Sequence, residues 1–147
     1  MAAIKSMPIL ISLDSKTSTD EQPEETMRMI TTGELIEKAN ETLIRFEETI
    51  DESEPPQKIE IAITGGVITM RRRGAYDVDM VFQKGQRYEG QYKMPFGALD
   101  MALYCIRASY TREGDSGEVA LQYQLDLSGQ YAAMHDLKLH FMRKRDV

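Results

Sequence analysis

From Ile59 onward the chain alternates apolar and polar residues with a period of two, the repeat of a strand buried on one face. Ile59, Ile61 and Ile63 share one phase, with Lys58, Glu60 and Ala62 between them. Gly65-Gly66 then suits a two-residue hairpin turn, which needs positive φ angles. That turn pairs Ile63 with Ile68 and Ile61 with Met70. A loop of Arg72, Arg73 and Gly74 would pair Met70 with Tyr76 and Ile68 with Val78. A loop of Lys84, Gly85 and Gln86 would pair Phe82 with Tyr88. Each pairing sets apolar against apolar on the same face.

The inward phase continues through Tyr88, Gly90, Tyr92 and Met94, then resumes as Leu99, Met101, Leu103, Cys105 and Arg107. Parity therefore flips across Met94-Pro95-Phe96-Gly97. Without a reversal there, Gln86 to Ala108 would be one strand of 23 residues, beyond the usual ~3–10. Pro at the second and Gly at the fourth position suit a type I turn, which pairs Tyr92 with Leu99. A further turn in Thr111 to Gly117 leads to Val119, Leu121, Tyr123, Leu125 and Leu127. A loop around Ser128 to Ala133 precedes Leu137, Leu139 and Phe141. Earlier strands are marked by Ile9, Ile11 and Leu13, by Met27 and Met29 with Gly33 following, and by Thr42, Ile44 and Phe46. Residues 30–46 carry Gly33 and many β-branched side chains, so they read as a hairpin with its tip near Lys38-Ala39-Asn40, not as a helix. Glu47 to Pro56 is an acidic loop ending in proline.

About ten strands in sequence order predict an all-β fold, an antiparallel up-and-down β-barrel of about 8–10 strands, because closure removes exposed edges. One domain spanning residues 1–147 is expected, and a chain of this length buries roughly 68–70% of its unfolded surface without disulfides. Barrels of this size either fill with side chains or hold one small ligand.

Particular residues add a family resemblance. Thr31-Thr32-Gly33, Lys38 and Glu47-Glu48 form its first part. Met70-Arg71 ahead of Gly74-Ala75, Phe82 three residues before Gly85, and Tyr92-Lys93-Met94-Pro95-Phe96-Gly97 form the rest. Together they resemble the YwiB-like β-barrel family, bacterial proteins of unknown function grouped with the calycins (lipocalin-like barrels). The resemblance runs from the first strand to Phe141 and implies a calycin-like barrel. It implies no activity and supplies no functional residues. The triple arginine departs from the family's shorter, less basic turn.

Charge narrows the partners. The net charge is −6, from 24 acidic and 18 basic residues. Asp14 to Glu54 holds 13 acidic and 4 basic side chains, whereas Pro55 to Met94 holds 7 basic and 4 acidic. No dominant basic face is on offer for phosphate neutralisation, which argues against nucleic acid. Cys105 is the only cysteine, so no internal disulfide forms and a reducing compartment is expected. MAAIKSMPIL lacks the apolar run of a signal peptide, and no segment approaches the ~20 apolar residues of a membrane helix. The expectation is a cytoplasmic protein without a membrane association.

Four groups of residues carry candidate chemistry. Tyr88, Tyr92 and Tyr123, with Tyr76, fall in the inward phase, and a polar tip on an apolar ring suits a ligand chamber as well as a dry core. Arg107 is the one charged residue assigned to the inward phase of a long strand, where it would be paired, at the mouth, or meeting a ligand carboxylate. Arg71, Arg72 and Arg73 form a candidate anion-binding knuckle, with a solvated turn the favoured reading. His135 and His140 lie five apart, on opposite faces of a strand, and make no metal pair. Cys105 has no base near it in sequence, and no phosphate loop or nucleophile elbow is present. The expected function is non-enzymatic binding of a small apolar or amphipathic ligand inside the barrel, with no cofactor. The alternative is a protein-interaction or structural module working through the acidic loop 47–54 or the Arg71–Arg73 turn, and a homodimer would form through an exposed apolar face or edge of the early strands.

Overall fold

Alternating burial runs through the wall. Val78 to Phe82 is buried at every second residue, and Gln57 to Ile63 buries Gln57, Ile59, Ile61 and Ile63 in the same phase. The computed structural model describes residues 4–49 and 52–145, and these contain ten strands. They are β1 (Lys5–Ser18), β2 (Glu25–Glu37), β3 (Thr42–Glu48), β4 (Gln57–Thr64), β5 (Val67–Arg73), β6 (Val78–Phe82), β7 (Arg87–Met94), β8 (Gly97–Glu113), β9 (Ser116–Leu127) and β10 (Gln130–Arg143). All hydrogen-bonded neighbours are antiparallel, in the order β6-β5-β4-β3-β2-β1-β10-β9-β8-β7. The first and last strands pair with each other, so the ring lacks a strand ladder only between β6 and β7, and β2 and β3 pair over part of their length, Gly33–Glu37 with Thr42–Phe46.

The sheet is a nearly closed barrel. At its seam a single bridge joins Asp77 and Lys93, each amide donating to the other residue's carbonyl at 2.9 Å. Its register is the one expected for Phe82 opposite Tyr88, since 77 + 93 and 82 + 88 give the same sum. The two strands nevertheless part beyond that point. The Gly85 amide donates to the Cys105 carbonyl at 2.8 Å and the Cys105 amide to Gln86 at 3.0 Å, so the turn bonds β8 instead of closing a β6–β7 ladder.

The Gly65–Gly66 hairpin pairs Ile63 with Ile68 and Ile61 with Met70, as expected. Tyr92 faces Leu99 across the Pro95–Phe96 turn. The β5–β6 register differs from expectation. Met70 faces Met80, Ile68 faces Phe82 and Arg72 faces Val78. The slide keeps every side chain on its face, so the apolar pattern is satisfied in both registers and cannot choose between them. The turn chooses: β5 continues through Arg73, and the Gly74 amide donates to Asp77 Oδ1 at 3.1 Å. The loop expected around Ser128–Ala133 is also shorter, a tight Ser128–Gly129 turn with φ angles of 51° and 77°.

The middle of the barrel is packed with side chains. Ile11, Ile44, Ile61, Phe82, Cys105 and Leu139 are fully buried. Gly117 is needed because the Phe141 ring lies against it: a Cβ there would sit 2.6 Å from the ring and 2.9 Å from the Thr111 carbonyl.

Candidate functional site: an inward arginine at the open end

Two arginines enter the inward phase, one at each end of the barrel. Neither is Arg107. The β8–β9 register shifts between Cys105 and Arg107, so Ile106 is an extra residue and the phase inverts behind it. Ala108 and Tyr110 then pack on the core, while Arg107 is exposed on the outer surface. Alternation carried past an unseen bulge is the reason for the earlier assignment.

The inversion places Arg112 inward at one end. Its Nη1 donates to Glu37 Oε1 at 2.9 Å, its Nε to the Gly114 carbonyl at 2.9 Å, and its guanidinium lies 5.9 Å above the Phe141 ring. Tyr110 stacks on Phe141 at 6.5 Å, and its hydroxyl is buried without a hydrogen-bond partner among the described residues. This end is closed by side chains that occupy one another.

At the other end, β5 alternates Ile68, Met70, Arg72, which carries the Arg72 guanidinium inward between Ile59 of β4 and Val78 of β6. Arg72 Nη1 meets Glu48 Oε2 at 3.2 Å, with only 21% and 17% of the two side chains exposed. Aromatic groups surround this pair. Tyr76 and Tyr92 approach to 5.9 Å at a 59° tilt. Tyr123 sits 4.9 Å from Phe82 and stacks on His135 at 5.1 Å, and His135 Nδ1 lies 3.2 Å from Thr17 Oγ1. Gln57, next to Glu48 across the β3–β4 ladder, is 97% buried. Its Nε2 donates to the Tyr76 carbonyl at 2.8 Å, and its Oε1 is buried without a hydrogen-bond partner among the described residues.

The titrating groups here all feel Arg72. Burial pushes the Tyr123 hydroxyl up to about 12, with the Arg72 charge opposing it. Tyr92 is raised in the same way, by burial first and by the neighbouring Tyr76 and Glu48, again against Arg72. His135 is held below its ordinary value by burial and then by Arg72, so it is neutral at pH 7. The result is a cationic guanidinium among neutral hydrogen-bonding rings.

The triple arginine is therefore divided by the strand. Arg71 and Arg73 point outward, to Glu60 Oε1 at 2.9 Å and Asp79 Oδ1 at 2.7 Å, and do not share a site with Arg72. Burial works to raise the Glu60 carboxyl, but hydrogen bonds and charge from Arg45 and Arg71 outweigh it and hold the group low. Tyr92 and Tyr123 lie in the arginine cluster. Tyr88 is half-buried further along β7, its ring lying across Gly90, and it lines the cleft at the β6–β7 seam with Val78, Gln91 and Lys93. The acidic loop 47–54 contributes Glu48 to the cluster, while Ile50 and Asp51 lie outside the described residues. Gln57 is not singled out by sequence, Glu48 enters there only through the resemblance and the acidic loop, and His135 only as half of a rejected metal pair. The inward parity of Arg72 was readable from Ile68 and Met70, but a turn assigned to begin at Arg72 concealed it.

His135 points inward and His140 is exposed on the opposite face. Burial raises the Cys105 thiol, which makes it a poor nucleophile. Among the described residues no group of three or more His, Cys, Asp or Glu side chains could hold a metal ion, and no helix is long and apolar enough to cross a membrane.

These features define an all-β class: a nearly closed ten-stranded antiparallel barrel with an arginine turned inward at each end. Residues 11–139 match the family described as "Domain of unknown function (DUF1934)", and the chain belongs to that family. The crystal structure of ywiB protein from Bacillus subtilis superposes with a TM-score of 0.86 at 22% identity, covering 97% of this chain and 96% of that one. The YwiB-like resemblance read from the sequence thus holds for the fold and the family. No curated protein matches the chain.

Proposed function

We propose that the protein is a non-enzymatic binder of a small amphipathic molecule with an anionic head, held at the open end of the barrel by Arg72. The observation that carries this is the guanidinium's partners: among the described residues one carboxylate, Glu48, meets a group with five N–H donors. Buried polar groups are normally paired, and the unpartnered Gln57 Oε1 marks the same end as short of a donor. Tyr76 and Tyr92 supply apolar ring faces for the body of the ligand and hydroxyls for its head. With the middle of the barrel packed, this reading places the ligand at this mouth and in the seam cleft beside Tyr88. Kinship with the calycins and a cytoplasmic setting belong to the same proposal, the second supported by the single buried cysteine.

Native mass spectrometry of the purified protein, beside a denatured and solvent-extracted sample, tests it. An extra mass that leaves on denaturation and is absent from Arg72→Ala is the expected result. A bare mass, together with no binding of a fatty-acid panel by wild-type protein, would overturn the reading.

A further inference from the structure

The strand β2 leaves its neighbour partway along. Below Gly33, where a Cβ would overlap the Arg45 carbonyl, β2 and β3 diverge. Residues Glu25–Thr32 pair with β1 on one side, and among the described residues no strand pairs with the other. Eight residues of free backbone edge are a template for another strand. Neither proline nor glycine interrupts this edge, and it exposes Met27 (56%) and Ile30 (67%).

We infer that this edge joins two copies of the chain, with β2 pairing antiparallel to β2 of the second copy about a dyad at Met29. Registers that keep both faces in phase place a residue on the dyad. Arg28 there would set two guanidinium groups opposite each other, which is unfavourable. A dyad at Ile30 would run Met27 into Gly33, where β3 already occupies the edge. A dyad at Met29 pairs Thr26 to Thr32, seven of the eight free residues, and brings only Glu25 level with Gly33. Met27 faces Thr31, Arg28 faces Ile30, and Thr26 faces Thr32.

Charge selects a second copy as the occupant. In this register each copy's β1–β2 turn runs past Thr32 of the other, onto the outer groove where β2 and β3 part. That groove has a volume of about 700 Å³ and is lined by Arg45, Lys58, Arg71 and Arg73 against Glu34, Glu47 and Glu60, an excess of one positive charge, with Arg45 and Arg71 bridged to Glu60, Arg73 to Asp79, and Lys58 without an ion pair among the described residues. The incoming turn carries Asp20, Glu21, Glu24 and Glu25, with no basic residue between Lys16 and Arg28. The acidic turn and the basic groove belong to one chain and meet twice in a two-fold dimer, as an isologous interface requires.

Sedimentation of the full chain should show a dimer that weakens as salt is raised. Met27→Lys with Ile30→Lys should raise the dimer dissociation constant about tenfold or more. Met29→Cys should form an intermolecular disulfide on oxidation, because Cys105 is fully buried and silent. Met27→Cys should not, since the two equivalent positions lie roughly 13 Å apart in this register, beyond disulfide reach. A monomer at every concentration would overturn the inference. So would a dimer that is indifferent to the lysines and does not cross-link through position 29.

Discussion

The two ends of this barrel are built from the same pair of residue types with opposite results. At one end Arg112 has a carboxylate, a backbone carbonyl and an aromatic face, and Tyr110 and Phe141 complete the plug. At the other, Arg72 has Glu48 at a longer 3.2 Å, and its remaining neighbours are phenols and an imidazole that stay neutral at pH 7. Arg112 is fixed through both Nη1 and Nε against a ring face and acts as a structural element. Arg72, which meets a side chain through Nη1 alone among the described residues, has more donors to offer. Asymmetry between the ends, more than any single residue, locates the candidate site.

The largest test of that asymmetry is truncation of the rings. Phe141→Ala removes a fully buried side chain from the plug and should cost about 3–5 kcal/mol in urea unfolding. Tyr92→Ala at the open end removes a half-buried ring and should cost about 1 kcal/mol. Equal losses would mean that the open end is as fully packed as the closed one.

Alkaline pH gives the next largest effect. The Tyr123 hydroxyl, near 10 in the unfolded chain, lies at about 12 in the fold. Its raised value means that the folded state keeps the proton longer. The associated stability is complete below pH ~10 and is lost as the pH rises through about 12, a loss on the order of 2–3 kcal/mol. Tyr123→Phe should flatten the decline, and an unchanged decline would show that another group controls it.

Exchanging the two arginines for alanine separates their roles at smaller amplitude. Arg112→Ala should lower stability by about 2 kcal/mol, through lost packing on Phe141 and an unpaired Glu37, and should leave ligand retention intact. Arg72→Ala should cost about 1 kcal/mol and abolish retention. The reverse outcome in a ligand-retention assay would move the site to the other end.

The strands from Ile59 to Phe82, and the reversal at Pro95–Phe96, were legible because a period-two pattern specifies which residues share a face. Three things were not. The β5–β6 register slid by four residues at no cost to the pattern, because every apolar contact has an equivalent in the slipped pairing. The bulge at Ile106 has no signal of its own, so Arg107 was followed inward when the chain had already turned it out. The Arg72 site depends on Glu48, Gln57, Tyr92, Tyr123 and His135, and separations of that size become contacts only when β1 pairs with β10 and the ring closes.

His135 offers the smallest effect and the finest discrimination. Burial and the Arg72 charge both hold it below its ordinary 6.5, so the unfolded chain binds a proton that the fold does not. The stability it contributes is present above pH ~6.5 and is lost as the pH falls from there through the folded value. Removing the Arg72 charge relieves one of the two causes and leaves burial in place. In an NMR titration of the ring, Arg72→Ala should therefore move His135 only part of the way up, and Arg112→Ala should not move it. An anion seated on Arg72 would partly neutralise the same charge, so His135 should rise in wild-type protein when a carboxylate ligand is added and stay still when it is added to Arg72→Ala. A ring that titrates identically with and without the ligand would place the anion elsewhere, whatever the affinity.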